Sequence, residues 1–251
     1  MSSTDKITTN SCLNCDSDNV EQFCPNCGQK AQATRQPLRV FLSDAVETLF
    51  NIDSRWFHTF RDLFLKPGKV TREYIAGKRA SYLPPLRIYV SISVLYFLMV
   101  QWVDSSQVFF INFNNDDGNA GELGTAVQYG LFFLVPLFAW IISLFYRKRK
   151  AFYVEYLILA IHIHSIWFVL LMVELLTIWF SREFDTGFAI ILDIIISGPA
   201  QIAIFGYLIA YLKRTFEDGW IKSFFKSFGI MTLYVMSIAA LVAAYIFAPI
   251  G

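Results

Sequence analysis

Charge is scarce in this chain, and what little there is lies unevenly. Asp, Glu, Lys and Arg make up 16% of the 251 residues, and the formal net charge of +1 carries less information than its distribution. Cysteine is absent outside residues 12–27, which excludes a disulfide framework spread over the chain. The first thirty residues have no apolar core and no small-residue cleavage site, so a cleaved secretory signal is not expected. No nucleotide-binding glycine loop, no Ser-His-Asp order and no HExxH motif occurs, which leaves an enzyme behind non-enzymatic readings. Residues 5–30 carry Asp5, Asp16, Asp18 and Glu21 against Lys6 and Lys30, so the basic footprint of a nucleic-acid module is missing.

Apolar and aromatic side chains are abundant instead. The chain is 55% hydrophobic and 17% aromatic, with 25 phenylalanines, far more than one soluble core of this length can bury. A bilayer resolves the excess, because outward-facing apolar groups then meet lipid. The chain reads as an all-α integral membrane protein in three parts. These are a small ribbon with a polar N-terminus over 1–32, amphipathic helices over 33–85, and a transmembrane bundle over 86–251.

In the ribbon, Cys12-Leu13-Asn14-Cys15 and Cys24-Pro25-Asn26-Cys27-Gly28 supply four thiolates in two C-x-x-C knuckles. Four sulfurs close a tetrahedral zinc site and leave no open position for chemistry, so a structural zinc is expected. A redox dithiol at Cys24 and Cys27 would want a preceding strand and a helix N-terminus, and would leave the first pair without a role.

From Pro37, Leu38, Phe41, Leu42, Ala45, Val46, Leu49 and Phe50 fall on one helical face, with Arg39, Ser43, Asp44 and Glu47 opposite. A second helix is expected after an Asp53/Ser54 cap, with Trp56, Phe57, Phe60, Leu63 and Phe64 on its apolar side and Pro67-Gly68 ending it. A third runs over about 70–76. Such helices suit either a membrane interface or packing against the bundle. The stretch from Gly77 to Val90 then marks the passage into apolar sequence, with Lys78, Arg79 and Arg87 as boundary cations and Pro84-Pro85 setting the turn.

Five spans are expected, at about 86–103, 125–146, 153–180, 188–212 and 227–249. Basic loops alternate with non-basic ones. Residues 54–87 hold eight Lys/Arg against two acids, 147–150 is Arg-Lys-Arg-Lys, and Lys213, Arg214, Lys222 and Lys226 separate spans four and five. Residues 104–124, by contrast, hold four acids and no Lys/Arg. The alternation places the N-terminus and ribbon in the cytoplasm and the C-terminus outside, which agrees with reduced, metal-bound thiols.

Ionisable groups inside spans are costly, so Glu155, His162, His164, Glu174 and Asp193 are candidates for an intramembrane polar site. Glu155 and His162 are seven apart and share a face, whereas His162 and His164 point to nearly opposite sides of one helix. Glu174 and Asp193 lie at similar depth and could face each other. Such groups fix packing by interhelical hydrogen bonds, or serve a proton, ion, metal or haem site.

The residues Cys27-Gly28-Gln29-Lys30, Lys66-Pro67-Gly68, Arg72-Glu73-Tyr74-Ile75, Gly77-Lys78-Arg79 and the later His162-x-His164 resemble an uncharacterised family of bacterial membrane proteins. The likeness covers the ribbon, the amphipathic helices and the first span well, and the later spans loosely. Members often carry a further histidine shortly after the glutamate of span three, where this chain has Tyr156. The resemblance implies an inner-membrane location and this architecture, and no reaction. The expected function is that of a scaffold, sensor or accessory subunit whose ribbon meets a cytoplasmic protein partner. A small transporter, channel or proton relay is the alternative.

Overall fold

The computed structural model describes residues 11–18, 22–31, 38–39, 41, 55–103, 107–108, 111–112, 134–149, 151–183 and 198–246. The expected amphipathic helix over 38–50 therefore lies almost entirely outside the described residues, as do Asp53, Ser54 and Asp193.

The described elements are helices, apart from bridges in the ribbon and one two-residue ladder. Helix α1 spans Arg55–Leu65, α2 Lys69–Ile75 and α3 Pro85–Val103. Strands β1 (Gln107–Val108) and β2 (Ile111–Asn112) pair antiparallel. Then come α4 (Leu134–Phe145), α5 (Tyr153–Glu183), α6 (Gly198–Phe216) and α7 (Trp220–Ile246).

Three of these helices are long and apolar enough to cross a membrane: α3, α5 and α7. The sequence pattern predicts five spans, and this number is corrected to three among the described residues. In α4 only 12 residues are described, about 18 Å of helix against the ~30 Å of hydrocarbon. In α6, Gln201, Lys213, Arg214 and Thr215 dilute the apolar character of the helix. Residues 125–133 and 188–197, which carry the other parts of those expected spans, lie outside the described residues.

Helix α5 is the centre of the bundle. In its spanning window 83% of residues are buried, against 17% in α7, whose Phe225, Phe228, Val235 and Met236 face outward. Helix α3 packs on α5 through Tyr89 and Tyr96, whose rings lie 5.7 and 5.0 Å from Phe168. Phe138 of α4 sits edge-on to Trp167 of α5 at 5.2 Å and to Tyr234 of α7 at 4.8 Å. Phe205 of α6 meets Phe224 of α7 at 6.0 Å.

The amphipathic α1 and α2 pack onto the bundle with their inner faces. Leu63, Val70 and Tyr74 belong to the same buried cluster as the α5 side chains, each contributing on the order of 1.5–3 kcal/mol by burial. Trp56, Phe60 and Phe64, one turn apart, stack in sequence at 5.4 and 6.3 Å on α1. On the outer face Phe57 and Leu65 remain exposed. Gly68 closes α1 in a left-handed conformation, φ +78°, and a Cβ there would stand 2.6 Å from Thr215 Oγ1. Only glycine lets the turn between α1 and α2 lie this close to α6.

Candidate metal centre and the boundary turn

The ribbon consists of two copies of one backbone knuckle. In the first, Asp16 N–H donates to Cys12 O and Cys12 N–H to Ser17 O, each at 2.9 Å. In the second, Gly28 N–H donates to Cys24 O at 2.9 Å and Cys24 N–H to Gln29 O at 2.8 Å. The flanking bridges Ser11↔Asp18 and Phe23↔Lys30 repeat with the same offset of twelve residues. Each knuckle needs a left-handed residue after its second cysteine. Gly28 takes φ 71° without cost, and Asp16 takes φ 57°.

This pseudo-repeat brings all four sulfurs together. Cys12, Cys15, Cys24 and Cys27 present Sγ atoms within 4.8 Å of one another. The Cys12–Cys27 and Cys15–Cys24 sulfurs are 3.6 Å apart. Metal–sulfur bonds of ~2.3 Å in a tetrahedron place sulfurs roughly 3.8 Å apart, so the cluster has the size a single ion requires. Cys12 and Cys24 are buried beneath it. The Ser17 hydroxyl, 3.1 Å from Cys24 Sγ, holds that thiol down at about 6, whereas burial pushes the Cys27 thiol up to about 12. A bound cation would favour the thiolate at all four.

The ribbon also grips the turn that leads into α3. The Gln29 side chain donates Nε2–H to Gly77 O at 2.8 Å, and its Oε1 accepts from Arg79 N–H at 2.9 Å and Ala80 N–H at 2.8 Å. Asn14 Oδ1 accepts from the Ser81 backbone at 3.2 Å and from its hydroxyl at 2.8 Å. Gly77, at φ +106°, lies against Leu13, whose Cδ1 would be 2.8 Å from a Cβ. Both polar clamps belong to the knuckles: Asn14 stands between the first pair of cysteines and Gln29 two residues after the last. On its other side the turn is held by α1. Arg55 donates to Ala80 O at 2.8 Å, and Leu83 N–H donates to Thr59 Oγ1 at 3.2 Å.

Beneath the turn lies a charged network. Asp62, fully buried on α1, meets Lys69 at 2.7 Å and Lys66 at 3.1 Å. Burial raises its pKa, but the hydrogen bonds and charges of Lys69 and Lys66 outweigh this and hold the carboxyl at about 2. Tyr82 donates to Glu73 and, at 3.5 Å, to Asp62. Of the boundary cations, Lys78 is exposed and Arg79 lies over the Tyr74 ring at 5.8 Å. Arg87 is buried against Trp56, 5.6 Å from its ring centroid.

The intramembrane candidates separate. Glu155 is half-buried near the start of α5, and its Oε1 accepts from Phe152 N–H at 3.3 Å. His162, fully buried, has Nδ1 at 2.7 Å from Thr71 Oγ1, which is hydrogen-bonded in turn to the Tyr211 hydroxyl. Glu155 and His162 thus have different partners. His164 faces the other way, with Nδ1 2.8 Å from Ala160 O and Nε2 2.8 Å from the Tyr234 hydroxyl. A proton on Nδ1 lets the ring donate to Ala160 O and accept from Tyr234 O–H. Glu174 is half-buried, and its expected facing with Asp193 lies outside the described residues. Thr71, with Tyr211 behind it, and Tyr234 carry the side-chain contacts of the two histidines, and no motif in the sequence marks them.

Residues 53–97, covering α1, α2, the boundary turn and the first part of α3, match the family described as "Protein of unknown function (DUF3667)". No curated protein and no solved structure matches the chain. The match stops short of the ribbon and of the two histidines.

Proposed function

We propose that this chain is a multi-pass protein of the bacterial inner membrane, working as a non-enzymatic scaffold, sensor or accessory subunit. Its N-terminus and ribbon are cytoplasmic, its C-terminus is external, and its four cysteines hold one structural zinc ion. The observation that carries this reading is the double grip of Asn14 and Gln29 on the boundary turn, which ties a closed four-thiol cluster to the first membrane helix. A fully coordinated ion has no position left for a substrate, so its contribution is to folding. The ribbon's exposed Phe23 offers a contact for a cytoplasmic protein partner.

The orientation is supported by what gathers at one end of the bundle. Arg72 of α2 reaches Glu217 at 3.5 Å, and Arg149 donates to Phe216 O, so the amphipathic helices and both basic loops share one side. Positive residues gather on the cytoplasmic side of inner-membrane proteins. Reporter fusions test it: those after residue 115 and at the C-terminus should read external, and one after Lys150 cytoplasmic. A cytoplasmic C-terminus overturns the topology.

The relay reading has one observation in its favour, the chain His162–Thr71–Tyr211 linking α5, α2 and α6. It predicts a phenotype for a normally folded His162→Phe protein. If that variant is only destabilised, the chain is packing.

A further inference from the structure

At the end of the bundle where the basic loops gather, a cleft of about 350 Å³ opens between α2, Arg149 and Ala151, the start of α5 and the end of α6. Arg72 and Arg149 line it from two different elements, together with Glu155 and the apolar Leu159 and Phe216. Arg72 is half-exposed, and its contact to Glu217 is a long one at 3.5 Å. Arg149 lies 5.2 Å over the Phe216 ring and donates to the Phe216 carbonyl, which fixes where its guanidinium stands.

We propose that this cleft binds the phosphodiester headgroup of an anionic phospholipid. Two guanidiniums on separate elements present planar N–H forks that match phosphate oxygens. Glu155 on the same cleft repels a second negative charge. That selects the single charge of a phosphodiester over the dianion of a free phosphate. Leu159, six residues into α5 and so about 9 Å along its axis, gives the acyl-chain side of the ligand an apolar surface to follow. Basic pockets between helices at the cytoplasmic face suit such headgroups. The proposal rests on the membrane reading above and names a ligand for that face.

The test uses the full chain purified in neutral detergent, with phosphatidylglycerol, phosphatidylcholine or inorganic phosphate added. Lipid retained by the intact protein in native mass spectrometry and the thermal unfolding midpoint are the two readouts. Phosphatidylglycerol should be retained and should raise the midpoint, with phosphatidylcholine and inorganic phosphate giving neither. Arg72→Gln should weaken retention about tenfold or more, the loss of one charge-assisted contact. Arg147→Gln, the same charge change at an exposed residue outside the cleft, should leave it unchanged. Should Arg72→Gln fold poorly, Arg149→Gln, which removes the other guanidinium of the cleft, should weaken retention in the same direction. Equal losses in Arg72→Gln and Arg147→Gln, or an equal response to inorganic phosphate, overturn the proposal. Alkaline extraction of membranes is read separately. A chain that washes off defeats the membrane reading, whereas an inserted chain with unchanged Arg72→Gln binding defeats only the site.

Discussion

Removing the Gln29 amide tests whether the ribbon holds the boundary turn. Gln29→Ala deletes three hydrogen bonds at 2.8–2.9 Å, to Gly77 O, Arg79 N and Ala80 N. Each bond contributes roughly 0.5–1.5 kcal/mol net, and the low end applies because Arg79 to Ser81 are half-buried and water replaces part of the loss. The Arg79 amide keeps a second acceptor, Gly77 O at 2.9 Å. Ala80 is therefore the clean reporter. An effect of about 1.5 kcal/mol predicts hydrogen exchange at the Ala80 amide about tenfold faster than in the parent. The Ser81 amide, which donates to Asn14, should respond to Asn14→Ala rather than to Gln29→Ala. Because both clamps depend on the knuckles, chelating the metal should accelerate the same amides without any substitution. Gln22→Ala, on the exposed side of the ribbon, should leave them alone. Unchanged Ala80 exchange in Gln29→Ala refutes the clamp, and equal acceleration in Gln22→Ala reduces it to general loosening of the ribbon.

Metal analysis of purified protein should give about one zinc per chain, lost in the Cys24→Ser/Cys27→Ser variant; native disulfides between the cysteines would refute the site. Asp62→Asn should cost about 1–2 kcal/mol in thermal unfolding, less than a fully buried pair because Lys66 and Lys69 stay within reach of water. Since the folded carboxyl titrates at about 2, below the ordinary value near 3.9, its contribution is complete above that value and is lost as pH falls toward 2. The variant should therefore show a flatter midpoint between about pH 4 and 2, and identical slopes would exclude the network as the cause. His164→Phe, which removes the contact to Tyr234, should destabilise the fold by about 1 kcal/mol, read as a lower midpoint, and no change would mean that α7 is held by apolar packing alone.

What could be read from the sequence was what leaves a local signature. The paired cysteines announce a convergent site at short range, and the structure brings them together. The structure adds that Cys-x-Asn-Cys at 12–15 and at 24–27 belongs to one knuckle repeated after twelve residues. The positions of α1 and α2 follow from aromatic periodicity and from Pro67-Gly68. The clamps were not legible, because Asn14 and Gln29 act on residues 48 to 67 positions away and no periodicity encodes such a pairing. Among the described residues, apolar sequence over α4 and α6 did not by itself supply a helix of spanning length and composition. Arg87 was read as a boundary cation from its place in a basic run, and what that run does not disclose is its buried seat against Trp56.

The two histidines show how a helix that is apolar on every side acquires a fixed rotation. Hydropathy cannot orient α5, since nearly all of its inner turns are buried and no face is distinguished as wet. His164 lies two residues after His162, about 200° of turn, so one imidazole addresses Thr71, itself bonded to Tyr211, while the other addresses Tyr234. A rotation of α5 by one residue, 100°, would turn both rings from their partners into apolar surroundings, where an unsatisfied polar group costs more than the bond contributes. The alternatives to the observed rotation are thus raised in energy on both sides of the helix at once. Through Thr71 the same contact seats α2 on the bundle, and α2 leads directly into the turn gripped by the ribbon. The rotation of the central helix, the seating of the amphipathic layer and the position of the cysteine cluster are therefore linked by contiguous hydrogen bonds and backbone, with no long flexible segment between them.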